Sequence, residues 1–97
     1  MTTFFISRHL GAITWAKQQG FQVNEQLTHF DPTQTKQGDM VIGTLPINLV
    51  AKVCDKGGRY FHLSLDLPVE ARGKELSPDD MTRFNARLEE YKVKSYE

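Results

Sequence analysis

An α/β domain, with a mainly parallel sheet and helices on both of its faces, is the fold class that three features of the sequence predict. Short β-favouring apolar runs alternate with segments whose apolar residues recur at helical spacing, the pattern of strand–helix units. The run Met40-Val41-Ile42-Gly43 is continuously apolar, as expected of a strand covered on both faces. Ile47, Val50, Ala51 and Cys54 then fall at i, i+3, i+4 and i+7 before Gly57-Gly58, as expected of an amphipathic helix ended by glycine. The chain has 97 residues, close to the size of one domain, so 1–97 is read as one unit.

The elements follow in order. Phe4-Phe5-Ile6 reads as a strand closed by Ser7-Arg8-His9, and Gly11 opens a helix with Ala12, Ile13 and Ala16 on one side and Gly20 as its stop. Phe21, Val23, Leu27 and Phe30 suggest a loosely patterned second strand running to Asp31-Pro32. Gly38-Asp39 turns the chain into the central strand, and Pro46 suits the first position of the second helix. Tyr60 to Leu65 reads as a further strand, which Asp66-Leu67-Pro68 ends. Residues 69–76 form a charged segment that would act as a lid, with Arg72 and Lys74 over the strand ends. Ser77-Pro78-Asp79-Asp80 is a helix start with a serine cap, a first-position proline and two acids at the positive end of the dipole. Met81, Phe84, Leu88 and Tyr91 are then expected along that helix, with Val93 to Tyr96 as a short final strand.

Composition narrows the function classes. Twelve basic and twelve acidic side chains cancel, which argues against binding long nucleic acid or a polybasic membrane contact and leaves room for a local basic pocket around a small anion. The single cysteine, Cys54, has no intramolecular partner, and no apolar run approaches the roughly 18 residues of a membrane span. Neither a basic n-region nor a cleavage site is read near Met1, so a cytoplasmic setting is expected.

In a parallel α/β sheet, ligands sit outside the carboxyl ends of the strands. Three loops are expected to converge there. Ser7-Arg8-His9 places a hydroxyl, a guanidinium and an imidazole before the first helix, an anion-binding arrangement; the competing reading is a capping serine beside two surface residues. Gly43-Thr44, with Asn48 in the following first turn, offers backbone amides and a hydroxyl to a phosphate. It lacks both the dinucleotide-binding glycine fingerprint and the phosphate-loop lysine, so neither NAD nor ATP is expected and no cofactor is assigned. Ser64 and Asp66 lie towards the same edge. His62, Ser64 and Asp66 share a strand face, but in-line spacing does not supply the converging geometry of a hydrolytic triad, and His62 among Tyr60, Phe61 and Leu63 reads as a packing histidine. His29 has no nearby catalytic partner, and Trp15 reads as core. Three scattered histidines and one cysteine make no structural zinc motif.

Taken together, Ser7-Arg8-His9 with Gly11-Ala12 and Trp15-Ala16, Asp39 to Asn48, His62 to Pro68, and Glu70-Ala71-Arg72-Gly73 with Glu75-Leu76 resemble the small CRISPR-associated ring nucleases of type III systems, relatives of the Rossmann-like CARF sensor domains. The resemblance spans nearly the whole chain. It implies a small Rossmann-like (CARF-like) fold, and metal-independent cleavage of cyclic oligoadenylate, foremost the four-adenosine ring, to products ending in 2′,3′-cyclic phosphate. A homodimer is expected, because a symmetrical ring is naturally held across a two-fold axis. Arg8, His9 and Ser7 are then the candidate catalytic residues, and Gly43, Thr44, Asn48, Ser64, Asp66 and Arg72 the candidate ligand-binding ones. The alternative is a module that binds the same messenger without cleaving it.

Overall fold

In a computed structural model, which describes every residue except Arg8 and Glu97 and leaves the Leu10 side chain aside, the strands are β1 (Thr3–Ile6), β2 (Glu25–Leu27), β3 (Met40–Gly43), β4 (Arg59–Ser64) and β5 (Arg87–Tyr91). The helices are α1 (Leu10–Gln18), α2 (Ile47–Asp55) and α3 (Pro78–Arg83), with 3-10 turns at Pro32–Gln34 and Val69–Ala71. The strands form one sheet in the order β2-β1-β3-β4-β5; β1 to β4 are parallel and β5 is antiparallel to β4. This is a small Rossmann-like α/β fold whose mainly parallel sheet is the one that strand–helix alternation predicts, with a reversed edge strand, β5, that the alternation does not predict.

Alternation along each strand explains the two layers. Phe5 and Ile42 point to the side where Ala12, Ile13, Trp15 and Ala16 of α1 meet Met81 of α3. Phe4, Val41 and Tyr60 point to the other side, against Val50 and Val53 of α2. Phe5, Ile42, Val41 and Val53 are fully buried, each such side chain contributing roughly 1.5–3 kcal/mol relative to exposure. Trp15 lies in the first core, as expected.

Three sequence expectations are corrected: the second strand, the third helix and the final strand. The second strand is only Glu25–Leu27. Phe21 and Val23 pack with the α1 layer whereas Leu27 and Phe30 pack with the α2 layer, so this stretch carries the chain from one face to the other instead of running along the sheet. The third helix stops at Arg83. Its capping box is formed as expected, with Asp80 N donating to Ser77 Oγ (3.1 Å) and Ser77 N to Asp80 Oδ2 (3.0 Å). Asn85 then turns the backbone at φ 58°, its side-chain amide donating to Asp66 Oδ2 (3.1 Å), and the chain returns as β5. Leu88 and Tyr91 therefore belong to a strand, as do Arg87, Glu89 and Glu90, and Val93 to Tyr96 follow that strand without forming another.

Asp39 ties the amino-terminal segment to the central strand. Only 3% exposed, its carboxylate accepts from Thr2 N and Lys36 N, both at 2.9 Å. Burial alone would raise this carboxyl, but the two amide donors, with the charges of the amino terminus and Lys36, outweigh it and hold the group below the ordinary range. A depressed native value means that the unfolded chain binds the proton first, so this stabilisation is present above about pH 4 and is lost as pH falls through the native value. Asp39→Ala is expected to cost about 1–3 kcal/mol at pH 7, read by urea unfolding. The difference between variant and wild type should shrink towards pH 3.

Candidate functional site

The sheet order places the parting of the connections between β1 and β3: the chain leaves β1 towards β2 on one side and leaves β3 towards β4 on the other. Above the carboxyl ends of the strands at that point lies a cleft of about 730 Å³, within the usual size range of ligand sites. Gly43 makes the close meeting of β1 and β3 possible. A Cβ there would stand 2.9 Å from the Ile6 carbonyl oxygen, so any side chain would force the two strand ends apart at the cleft floor. Gly43→Ala should therefore weaken ligand binding as well as stability, which a melting curve with and without ligand separates.

The wall of the cleft is built from strand ends. Ser7 follows β1, Thr28 follows β2, Thr44 follows β3, and Ser64 is the last residue of β4. Each parallel strand thus delivers one hydroxyl to the same rim. The Ser7 hydroxyl oxygen accepts from His9 N at 3.0 Å, which leaves the hydroxyl proton to be donated towards a ligand. His9 and His62 add two imidazoles, and Leu65, Leu67, Leu76 and Met81 form an apolar side. A polar rim beside an apolar wall suits a ligand that carries both phosphate and a flat, weakly polar ring.

His9 occupies the N-cap position of α1. Its Nδ1 is buried and has no hydrogen-bond partner, with Glu75 Oε1 3.9 Å away, too far for a hydrogen bond and within ion-pair range. The side chain is 43% exposed, so the rest of the ring remains open to the cleft. His62 is held on the opposite flank. Its Nδ1 lies 2.8 Å from the Tyr60 hydroxyl, which also contacts the Gly43 carbonyl oxygen (2.9 Å) and receives Leu45 N–H (2.9 Å). Burial pushes the Tyr60 phenol up, so it keeps its proton.

Of the candidate residues, Ser7, His9, Gly43, Thr44 and Ser64 all line this one cleft. Asn48 is exposed in the first turn of α2 and is not part of the lining. Asp66 is engaged elsewhere. It accepts from Asn85 and faces Arg87 Nη1 at 3.4 Å, and those groups lower its carboxyl. Arg72 is exposed beyond the short turn at Val69–Ala71 and also lies off the lining; the segment of residues 69–76 contributes Leu76 to the cleft and Glu75 beside His9. Arg8 is outside the described residues. Among the described residues lining the cleft there is no lysine or arginine, and among all described residues no group of three or more His, Cys, Asp or Glu is placed to hold a metal ion.

Sequence reasoning missed two polar lining residues, Thr28 and His62. Thr28 was open to detection as the hydroxyl residue that follows an apolar strand end, as Ser7 and Thr44 do. His62 stands two residues from Tyr60 and Ser64 on one strand face, and its alternation carries it to the edge where Ser64 also sits.

No helix among the described residues is long and apolar enough to cross a membrane. No curated protein and no solved structure matches the chain. A family model does: residues 4–94 match the family described as "Putative CRISPR-associated protein (Cas_VVA1548)". That match takes in the three helices, the whole cleft lining and all of the five strands but Thr3, the first residue of β1, and the chain belongs to this CRISPR-associated family.

Proposed function

We propose that the cleft binds cyclic oligoadenylate, with the four-adenosine ring as preferred substrate, and cleaves it to linear products with 2′,3′-cyclic phosphate ends, switching off type III CRISPR signalling. The observation that carries this reading is the convergence of Ser7, Thr28, Thr44 and Ser64 with His9 and His62 on one cleft, in a chain of a CRISPR-associated family. The hydroxyls donate to phosphate oxygens, and the apolar side formed by Leu65, Leu67, Leu76 and Met81 takes adenine. Arg8, between Ser7 and His9 in the sequence, supplies positive charge to the phosphorane. The reaction needs no metal in principle: the adenosine 2′-hydroxyl attacks the adjacent phosphorus in line while imidazoles move the protons.

A ring with repeated adenylates calls for two copies of the chain. Ile47 and Val69 support this, since they are 72% and 78% exposed and follow the lining residues Leu45 and Leu67 by two positions, so the rim carries apolar surface that a second copy would cover. Saturating cyclic tetra-adenylate, at about 100 times its Kd, should stabilise the protein by about 2.7 kcal/mol, read as a rise in Tm of several degrees. No rise with any ring size would remove the binding reading. Binding without turnover, with intact ring protected in proportion to added protein, would identify a sequestering module instead.

A further inference from the structure

We propose that His62 is the proton acceptor for the attacking 2′-hydroxyl and that Tyr60 is the positioning residue that fixes its tautomer; this rests on the ring-cleaving reading above. A phenol carries one hydrogen and accepts through its remaining lone pairs. The Tyr60 hydroxyl has the Gly43 carbonyl oxygen at 2.9 Å, the Leu45 amide donating to it at 2.9 Å, and His62 Nδ1 at 2.8 Å. The carbonyl can only accept and the amide can only donate, so the phenol proton belongs on Gly43. The contact with His62 is then a hydrogen bond only if Nδ1–H is the donor. The opposite arrangement, with the phenol proton on Nδ1, would leave two oxygens 2.9 Å apart with no hydrogen between them.

A neutral imidazole with its proton on Nδ1 has its lone pair on Nε2. His62 therefore brings to the cleft a ring whose second nitrogen is a base, and whose orientation is fixed by a tyrosine only 2% exposed on the same strand face. From β5, Glu89 stands opposite His62 in the register with Arg87 Nε 3.5 Å from its carboxylate, and the Tyr91 ring meets the imidazole edge-on at 6.2 Å. His9 stands across the cleft, after β1, while His62 is on β4. Two strand spacings separate those strands, about 9.5 Å, which leaves room for a phosphate between the rings.

The chemistry balances with these two groups. As the 2′ oxygen bonds to phosphorus, its proton passes to His62 Nε2. The bond from phosphorus to the 5′ oxygen breaks with its electron pair on that oxygen, which takes a proton from His9. The products are a 2′,3′-cyclic phosphate and a 5′-hydroxyl, and proton exchange with solvent resets both imidazoles.

Ring 13C and 15N NMR of histidine-labelled wild-type protein reads the tautomer without any substrate. The expected result is His62 with its proton on Nδ1; a proton on Nε2 would overturn the proposal whether or not the protein cleaves rings. Tyr60→Phe, which removes the acceptor, should move His62 towards the Nε2–H form. His62→Asn keeps an amide donor for Tyr60 while removing Nε2, so the fold and the binding of cyclic tetra-adenylate should persist. Its single-turnover cleavage should fall about 10²–10⁴-fold. A wild-type rate in His62→Asn overturns the base role. Absence of cleavage by the wild type overturns that role together with the ring-cleaving reading, and the NMR result then still decides whether Tyr60 sets the tautomer.

Discussion

Gly11→Ala should destabilise the protein by about 2–3 kcal/mol, against the direction that helix propensity alone gives. In a helix interior alanine is favoured over glycine by about 1 kcal/mol, and Gly11 lies within α1. The surroundings decide otherwise. A Cβ at this position would penetrate the Leu76 carbonyl oxygen and stand 2.9 Å from the Ser77 carbonyl carbon, and both are backbone atoms that no rotamer change can move. Forcing extra volume into a close-packed contact costs about 1–3 kcal/mol and more where backbone must shift. Here α1 must separate from the chain leading into α3, with Leu76, 6% exposed, drawn out of the core. For a domain of this size the loss corresponds to a fall in Tm of roughly 10 °C or more. Because Leu76 also lines the cleft and Glu75 faces His9, ligand affinity should fall with stability. A melting curve that is unchanged or raised would show that the approach of α1 to residues 76–77 is looser than described.

His9→Ala is the second large effect: ring cleavage is expected to slow about 10²–10⁴-fold while ring binding stays largely intact. The imidazole is fixed at the start of α1 with Nδ1 turned to Glu75 and the rest of the ring open to the cleft. Removing it leaves the four rim hydroxyls and the apolar side in place, so the loss should appear in the chemical step. Single-turnover rates together with equilibrium binding separate the two. Unchanged turnover would remove His9 from the mechanism, whereas a loss of binding as large as the loss of rate would make it a ligand contact.

Much of the architecture can be read from residue pattern because β1 and β3 are short apolar runs and α2 carries apolar residues at helical spacing; of that set Val50 and Ala51 are buried, whereas Ile47 is 72% exposed and Val53, outside the set, is fully buried. The end of α3 was hidden for a physical reason. Met81, Phe84 and Leu88 fit helical spacing, yet Ala86 and Leu88 also fit the period of a strand, and the choice is made by tertiary contacts. Asn85 adopts a left-handed turn, and Asp66 receives hydrogen bonds from Asn85 and Arg87, fastening β5 to the end of β4. The short β2 was obscured because Phe21, Val23, Leu27 and Phe30 serve two different cores. In the cleft, Ser7, Thr44 and Ser64 were legible as polar residues at strand ends, and Thr28 was lost with the boundary of its strand. His62 read as packing because its neighbours Tyr60, Phe61 and Leu63 are core residues; only the three contacts of the Tyr60 hydroxyl reveal how its ring is held.

The most direct measurement is incubation of the purified protein, in EDTA and well below substrate concentration, with cyclic oligoadenylates of several ring sizes, followed by chromatographic separation of products. Repeated turnover of one ring, foremost cyclic tetra-adenylate, to linear species ending in 2′,3′-cyclic phosphate is the result predicted. Rings left intact in EDTA and again after divalent metal is restored would contradict it.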